Sequence, residues 1–237
     1  MQIQPSRIDS WKMFGRISPR YDLLNGLLSL GLDGSWRRSI GKYLPQRKDL
    51  KILDLATGTG GLLLAILSNT DNIASAVGLD MSAKMLAIAE NKIAERNLQN
   101  SISLVRADAA EIPFTENSFD AVTMAFGIRN VVDVNLVLKQ MYKVLKPNGK
   151  AVILEFALPE NFLLKKIFLF YLRIFVPAIG AIISGDRGAY KYLNQTVETF
   201  LTRKELQLAM KDAGFSNLNV VPMTFGVACI YCGDKPA

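Results

Sequence analysis

The chain has no histidine among its 237 residues and only two cysteines. Without imidazole, the usual general base near neutral pH and the commonest metal ligand are both missing, so a mechanism that requires histidine is excluded. Cys229 and Cys232 form a lone Cys-x-x-Cys in a stretch, Val227 to Tyr231, that reads as a strand. With no second pair the spacing makes no zinc site, and no metal is expected. A thioredoxin-type motif opens a helix after a strand, so these thiols read as ordinary strand residues. Met1 to Asp9 carries no apolar leader, which together with the scarce cysteine points to the cytoplasm. A comfortable bilayer span is also missing. From Ile167 to Ile183 only Arg173 is charged, but Arg173 and Pro177 interrupt the run, and its 17 residues are at the short limit.

What is present suits one α/β domain over residues 1–237, with 50% hydrophobic residues and no internal repeat or linker. The 28 basic and 21 acidic residues leave a net charge of +7. No RNA motif accompanies that charge, and no nucleic-acid partner is expected. Basic residues sit instead beside the most apolar stretch, Phe162 to Pro177, where Lys165, Lys166 and Arg173 interleave with phenylalanine and leucine. That pattern fits peripheral contact with an anionic membrane surface. Phe162 to Ile183 is read as a helix and its continuation, lining a lipophilic pocket or lying at the interface; an ordinary cover over the core remains the alternative.

The most informative segment is Ile52-Leu53-Asp54-Leu55-Ala56-Thr57-Gly58-Thr59-Gly60-Gly61, followed by Val77-Gly78-Leu79-Asp80. It reads as a buried strand, a loop whose glycines let backbone approach a ligand, and a helix from Leu62. A dinucleotide fingerprint wants a third glycine where this chain has Leu63. Asp54 lies inside the first strand, and Asp80 and Asp108 end the second and third. Glycines and acids so placed resemble the class I S-adenosylmethionine methyltransferases. The expected fold is therefore their Rossmann-like α/β architecture: a mainly parallel seven-stranded sheet with a C-terminal antiparallel hairpin and helices on both faces.

Further signals fill in the order. Ser82 is the expected N-cap of the second helix, Asp133 to Leu145 reads as a helix, and Lys146-Pro147-Asn148-Gly149 reads as its terminator before a strand from Lys150 to Ala157. Thr202-Arg203-Lys204-Glu205 has the form of a capping box. Strands at Asn217 to Met223 and Gly226 to Tyr231 are close enough for a hairpin. Residues 1–49 are expected to form an N-terminal helical cap that folds over the cofactor, and residues 160–200 an apolar insertion on the substrate side.

Three signatures make the resemblance specific. Tyr21 to Trp36, Ala125-Phe126-Gly127-Ile128-Arg129-Asn130 and Lys143 to Phe156 are similar, in order and spacing, to signatures of the C-methyltransferases of ubiquinone and menaquinone biosynthesis. Ser184 to Leu193 and Thr224 to Val227 also match, and the likeness spans nearly the whole chain. Asp33 stands where that family usually has histidine, Ala157 where it has serine or threonine, and Gly61 where an acid often closes the glycine loop.

The resemblance implies methyl transfer from S-adenosyl-L-methionine to the ring of a polyprenylated quinol, benzoquinol or naphthoquinol, by a cytoplasmic protein at the inner face of the membrane. It places Thr59, with Gly58 and Gly60, at the methionine part of the cofactor, Asp80 on the ribose, and Asp108 with Ala109 near the adenine. Arg129, expected to face the ligand edge, stabilises the developing phenolate with Asn130 holding the arrangement; capping of the next helix is their alternative role. Asp33 and Tyr190 are the further polar partners, Asp33 as a proton acceptor if it is buried. Another lipophilic or small phenolic acceptor, or a noncatalytic subunit of a quinone-synthesis complex, stays open, as does a homodimer.

Overall fold

Strand β1 (Leu50–Leu55) alternates its buried side chains between two apolar layers, Ile52 on one face of the sheet and Leu53 and Leu55 on the other. The same alternation runs through β5 (Leu145–Phe156), where Val152, Leu154 and Phe156 oppose Ala151 and Ile153. A sheet buried on both faces needs helices on both, which explains the near-continuous apolar strands. The remaining strands are β2 (Ile73–Asp80), β3 (Ile102–Arg106), β4 (Phe119–Ala125), β6 (Ser216–Met223) and β7 (Ala228–Asp234). The chain is seen in a computed structural model that describes residues 7–178 and 187–237.

The seven strands lie in the order β3-β2-β1-β4-β5-β7-β6, with β7 antiparallel to both of its neighbours. The fold is the expected one: mainly parallel, closed by a C-terminal antiparallel hairpin, with helices on both faces. The order reverses between β1 and β4, whose carboxyl ends diverge to leave a crevice.

Helices α1 (Ser10–Ile17), α2 (Tyr21–Leu28) and α3 (Asp33–Ser39) precede the sheet. Then come α4 (Gly61–Leu67), α5 (Ala83–Glu95), α6 (Val134–Val144), α7 (Phe162–Phe170), α8 (Arg187–Thr199) and α9 (Arg203–Asp212). Their starts follow local chemistry. The Ser82 hydroxyl accepts from the Met85 N–H, and Asp133 from that of Leu136. Thr202 and Glu205 exchange both bonds of a capping box at α9.

One expected boundary differs. Lys146 to Gly149 was to separate α6 from its strand, but β5 begins at Leu145 and carries this segment as an irregularity, with Asn148 at φ +60. The C-terminus accounts for it: Asn148 and Gly149 exchange backbone bonds with Lys235, whose ammonium also binds the carbonyls of Tyr142 and Leu145. Cys229 and Cys232 lie in β7 as buried free thiols. After α7 the chain tightens into a π-helical turn, Tyr171–Phe175; residues 179–186, which include Ser184 to Asp186 of one quoted motif, lie outside the described residues.

Candidate active site

A cleft of about 430 Å³ opens at the carboxyl ends of β1 to β4. Its floor comes from the ends of those strands: Ala56 and Gly58, then Asp80, then Asp108 and Ala109, then Phe126 and Gly127. Gly58 sits at φ +58 and Gly60, the residue before α4, at φ +76, a region in which a side chain is strained. Ala56 and Phe126 take positive φ without being glycine, at +49 and +59, and both are on the wall. Backbone held in that region where two strand ends face a cavity is the kind of strain that collects at functional sites.

Asp80 joins the loop to the next strand. Its Oδ2 accepts the Gly58 N–H at 2.9 Å and its Oδ1 the Ser82 N–H at 2.8 Å. Burial pushes its pKa up, while those backbone bonds resist the rise. Asp108 is exposed, and its Oδ1 accepts the Ala110 N–H at 2.9 Å, which holds the turn that brings Ala109 to the wall. Thr59 and Gly60 are not on the wall. The Thr59 hydroxyl points the other way and donates to Asp22 Oδ1 at 2.7 Å.

That bond belongs to a roof. The N-terminal helices cross the cleft and line it with Arg7, Ser10, Trp11, Phe14 and Tyr21. Asp22 fastens them to the floor, accepting from Thr59 and from Lys92 on α5. Arg7 and Ser10 fall within residues 1–49, the expected cap, but nothing in their sequence marks them out as lining residues.

At the β4 end the structure departs from the expected orientation. Arg129 is 3% exposed and lies behind the wall. Its Nη1 donates to Glu155 Oε1 at 2.6 Å and to the Phe126 carbonyl at 2.8 Å, and its guanidinium lies 5.4 Å from the centre of the Phe156 ring. Glu155, fully buried, also accepts the backbone N–H groups of Arg129 and Phe156. The reason is pairing: a carboxylate at the carboxyl end of β5 captures the cation that was expected to face the ligand. An acid inside the apolar run Ala151 to Phe156 is the signal in the sequence that marks Glu155.

Asn130 does reach the cleft. Its Nδ2 donates to the Phe126 carbonyl at 3.2 Å, while its Oδ1 is buried with no partner among the described residues, as is the Nε of Arg129. Two unpaired buried groups beside a cavity are uncommon in a finished structure and point to a ligand or water that completes them.

Asp33 is elsewhere. It opens α3, accepts from the Ser29 hydroxyl at 3.0 Å and lies 3.5 Å from Arg37 Nε, away from the cleft wall. A proton acceptor at Asp33 would therefore stand outside the cavity, tied up with Arg37 at the next turn. The side chain of Tyr190 is outside the described residues. Tyr192, two positions on, is buried and packs edge-to-face on Phe14 of the roof at 6.4 Å. Asp54 lies under the glycine loop, where Thr123 donates to its Oδ1 at 2.7 Å and burial pushes its pKa to about 6. No group of three metal-ligating side chains occurs among the described residues.

The strand order, the glycine loop and the acids at the ends of β2 and β3 around one roofed cleft define a class I S-adenosylmethionine-dependent methyltransferase. Its fold is shared with a Thermotoga maritima protein described as a SAM-dependent methyltransferase, possible histamine N-methyltransferase, at a TM-score of 0.69 and 19% identity, covering 95% of this chain and 99% of that one. The chain belongs to the ubiE/COQ5 methyltransferase family, whose profile matches residues 2–235. It is 42% identical to the ubiquinone/menaquinone biosynthesis C-methyltransferase of Geotalea daltonii, over 94% of this chain and 95% of the relative. With the demethylmenaquinone methyltransferase of Thermus thermophilus it shares 43% identity, over 94% of this chain and the whole of the relative.

Proposed function

We propose that this chain moves a methyl group from S-adenosyl-L-methionine to a ring carbon of a polyprenylated quinol, the reduced form of demethylmenaquinone or of a methoxy-polyprenyl benzoquinol. One observation carries the reading. A single roofed cleft runs from Gly58, Asp80 and Asp108 to Asn130, so a donor lying on the first three presents its reactive end to the unpaired groups at the last. The sulfonium supplies an activated methyl, so the protein's task is alignment and the handling of one phenolic proton.

Gly58 gives the methionine part close access to backbone. Thr59 and Gly60 set the loop from outside the wall, Thr59 by holding the roof. Asp80 keeps lone pairs for the ribose hydroxyls, and Asp108 and Ala109 border the adenine. A phenol with a pKa of about 10 must be stabilised as it ionises. With Nη1 held by Glu155 and the Phe126 carbonyl, Arg129 bears on the developing phenolate only from behind the wall, through the strand end it fixes, and Asn130 Oδ1 accepts from the phenolic hydroxyl or from a water that takes its proton. Arg129 cannot itself be the base. Asp33 pairs with Arg37, whose guanidinium lies 5.2 Å from the centre of the Phe126 ring on the wall, so its part is to position that ring, and Tyr190 is assigned to the acceptor side. As the ring carbon bonds to the methyl, the sulfur–methyl bond breaks and the ring proton leaves to water.

The acceptor's tail calls for lipid. No described helix is long and apolar enough to cross a membrane. The helix α7, Phe-Leu-Leu-Lys-Lys-Ile-Phe-Leu-Phe, has no buried residue, and Phe162 is 70% exposed. With Lys165 and Lys166 exposed beside it, α7 is the surface for peripheral contact with the inner face of the membrane. The test is to incubate the protein with labelled methyl donor and both reduced quinone types in liposomes and identify the product by mass spectrometry. A ring-methylated quinol is expected; bound cofactor with no methylated quinol of either type would overturn the proposal.

A further inference from the structure

The turn between β6 and β7 departs from ordinary backbone and surface chemistry at the same place. Thr224, Phe225 and Gly226 follow one another at φ +41, +56 and +87, and only the third is glycine. Left-handed backbone is rare for a β-branched or bulky residue. Phe225 is also 82% exposed, more than any other large apolar side chain among the described residues. A glycine at 225 would relieve the strain and remove exposed apolar area together, so folding does not select this phenylalanine.

The turn is held from two sides. Trp36 Nε1 donates to Thr224 Oγ1 at 2.9 Å, and Arg203 Nη2 donates to the Gly226 carbonyl at 2.9 Å. These bonds fix the backbone on either side of the ring. Arg203 also bonds the Leu158 carbonyl at 3.3 Å and pairs with Glu160 at 3.0 Å, so one guanidinium ties this turn to the segment between β5 and α7. Phe225 and the exposed start of α7, Phe162 and Leu163, are thereby carried on one edge of the molecule. Lys165 and Lys166 lie exposed beside them, with Lys166 Nζ 4.3 Å from the centre of the Phe162 ring. Aromatic tips flanked by ammonium groups match the apolar boundary and negative headgroups of an anionic bilayer.

We propose that Phe225 is a second membrane anchor, a rigid wedge that enters the interfacial layer of an anionic bilayer beside α7. This rests on the reading of α7 as the lipid-facing helix. A single helix lying on a surface leaves the protein free to roll about its axis; a second fixed contact removes that freedom.

The test pairs two measurements that move in opposite senses. Phe225→Gly in the full chain is expected to raise the thermal midpoint and to weaken co-sedimentation with phosphatidylglycerol-containing vesicles about tenfold. Methylation of a short-chain, water-soluble quinol is expected to stay unchanged. Phe225→Trp restores vesicle binding. Undiminished binding of Phe225→Gly, with binding lost in Phe162→Ala, would overturn the wedge and leave α7 standing. Undiminished binding in both variants would overturn the α7 reading and the wedge with it. Loss of concentration-dependent self-association in Phe225→Gly without lipid, at constant vesicle binding, would assign the residue to contact between copies and overturn the proposal.

Discussion

At Asp80 the carboxylate already accepts the N–H groups of Gly58 and Ser82 before any ribose hydroxyl arrives. Truncation to alanine would strand both donors and loosen the loop, which confuses a binding defect with a folding one. Asp80→Asn keeps an oxygen for one of them and removes the charge that makes hydrogen bonds to the ribose strong. The variant is expected to bind S-adenosylmethionine about ten- to a hundredfold more weakly by calorimetry, following roughly 1.5–3 kcal/mol for a charge-assisted bond, with a thermal midpoint lowered less than that of Asp80→Ala. Unchanged affinity would remove Asp80 from the ribose. Asp80 could be found in the sequence because strand ends in a parallel sheet are legible from apolar runs, and an acid there has few structural uses. The orientation of Arg129 could not. It depends on Glu155 lying across from it, which only the pairing of β4 with β5 decides.

Elements with a local cause were readable, as the caps at Ser82 and Thr202 and the helix read from Asp133 show. Those fixed by distant partners were not: the segment Lys146 to Gly149 stays in β5 because the chain's end, some ninety residues later, pairs with it. The N-terminal helices stand between these cases. Their helical character is local, but their attachment rests on Asp22 reaching Thr59 and Lys92. A ligand in the cleft lies beneath these lining residues, so a looser roof is expected to speed its release. Asp22→Ala leaves the buried Thr59 hydroxyl without its acceptor and frees Lys92, removing about 1–2 kcal/mol of attachment. The expected result is release of S-adenosylmethionine about five- to thirtyfold faster in stopped flow. Amide exchange should rise in α1 and α2 and stay constant in α4 and α5. Equal release rates and an unchanged exchange pattern would show that the roof is held by packing alone.

Across the whole molecule, the two apolar layers meet at a sheet whose central strand carries a charge-bearing group, Asp54, at almost complete burial. Burial pushes its pKa from 3.8 to about 6, against the opposing pull of the Thr123 hydroxyl. The folded state therefore binds this proton more tightly than the unfolded chain, and its contribution is fullest below pH 3.8 and is lost as pH rises through about 6. A shift of about two units corresponds to about 3 kcal/mol. Asp80 shifts in the same direction, while Asp120, where burial is outweighed by the Lys51 N–H and by Lys146 and Arg47, shifts downward and acts only at lower pH. Both are present in parent and variant alike, so their slopes cancel in a comparison with Asp54→Asn. Between pH 4 and pH 7 the variant is expected to gain up to about 3 kcal/mol relative to the parent in urea unfolding, whatever its offset at pH 4. Parallel curves for the two proteins across that range would mean that Asp54 ionises in the fold as it does in water. A carboxylate so easily ionised would have to be hydrated, which requires water beneath the glycine loop and a sheet centre that is not dry.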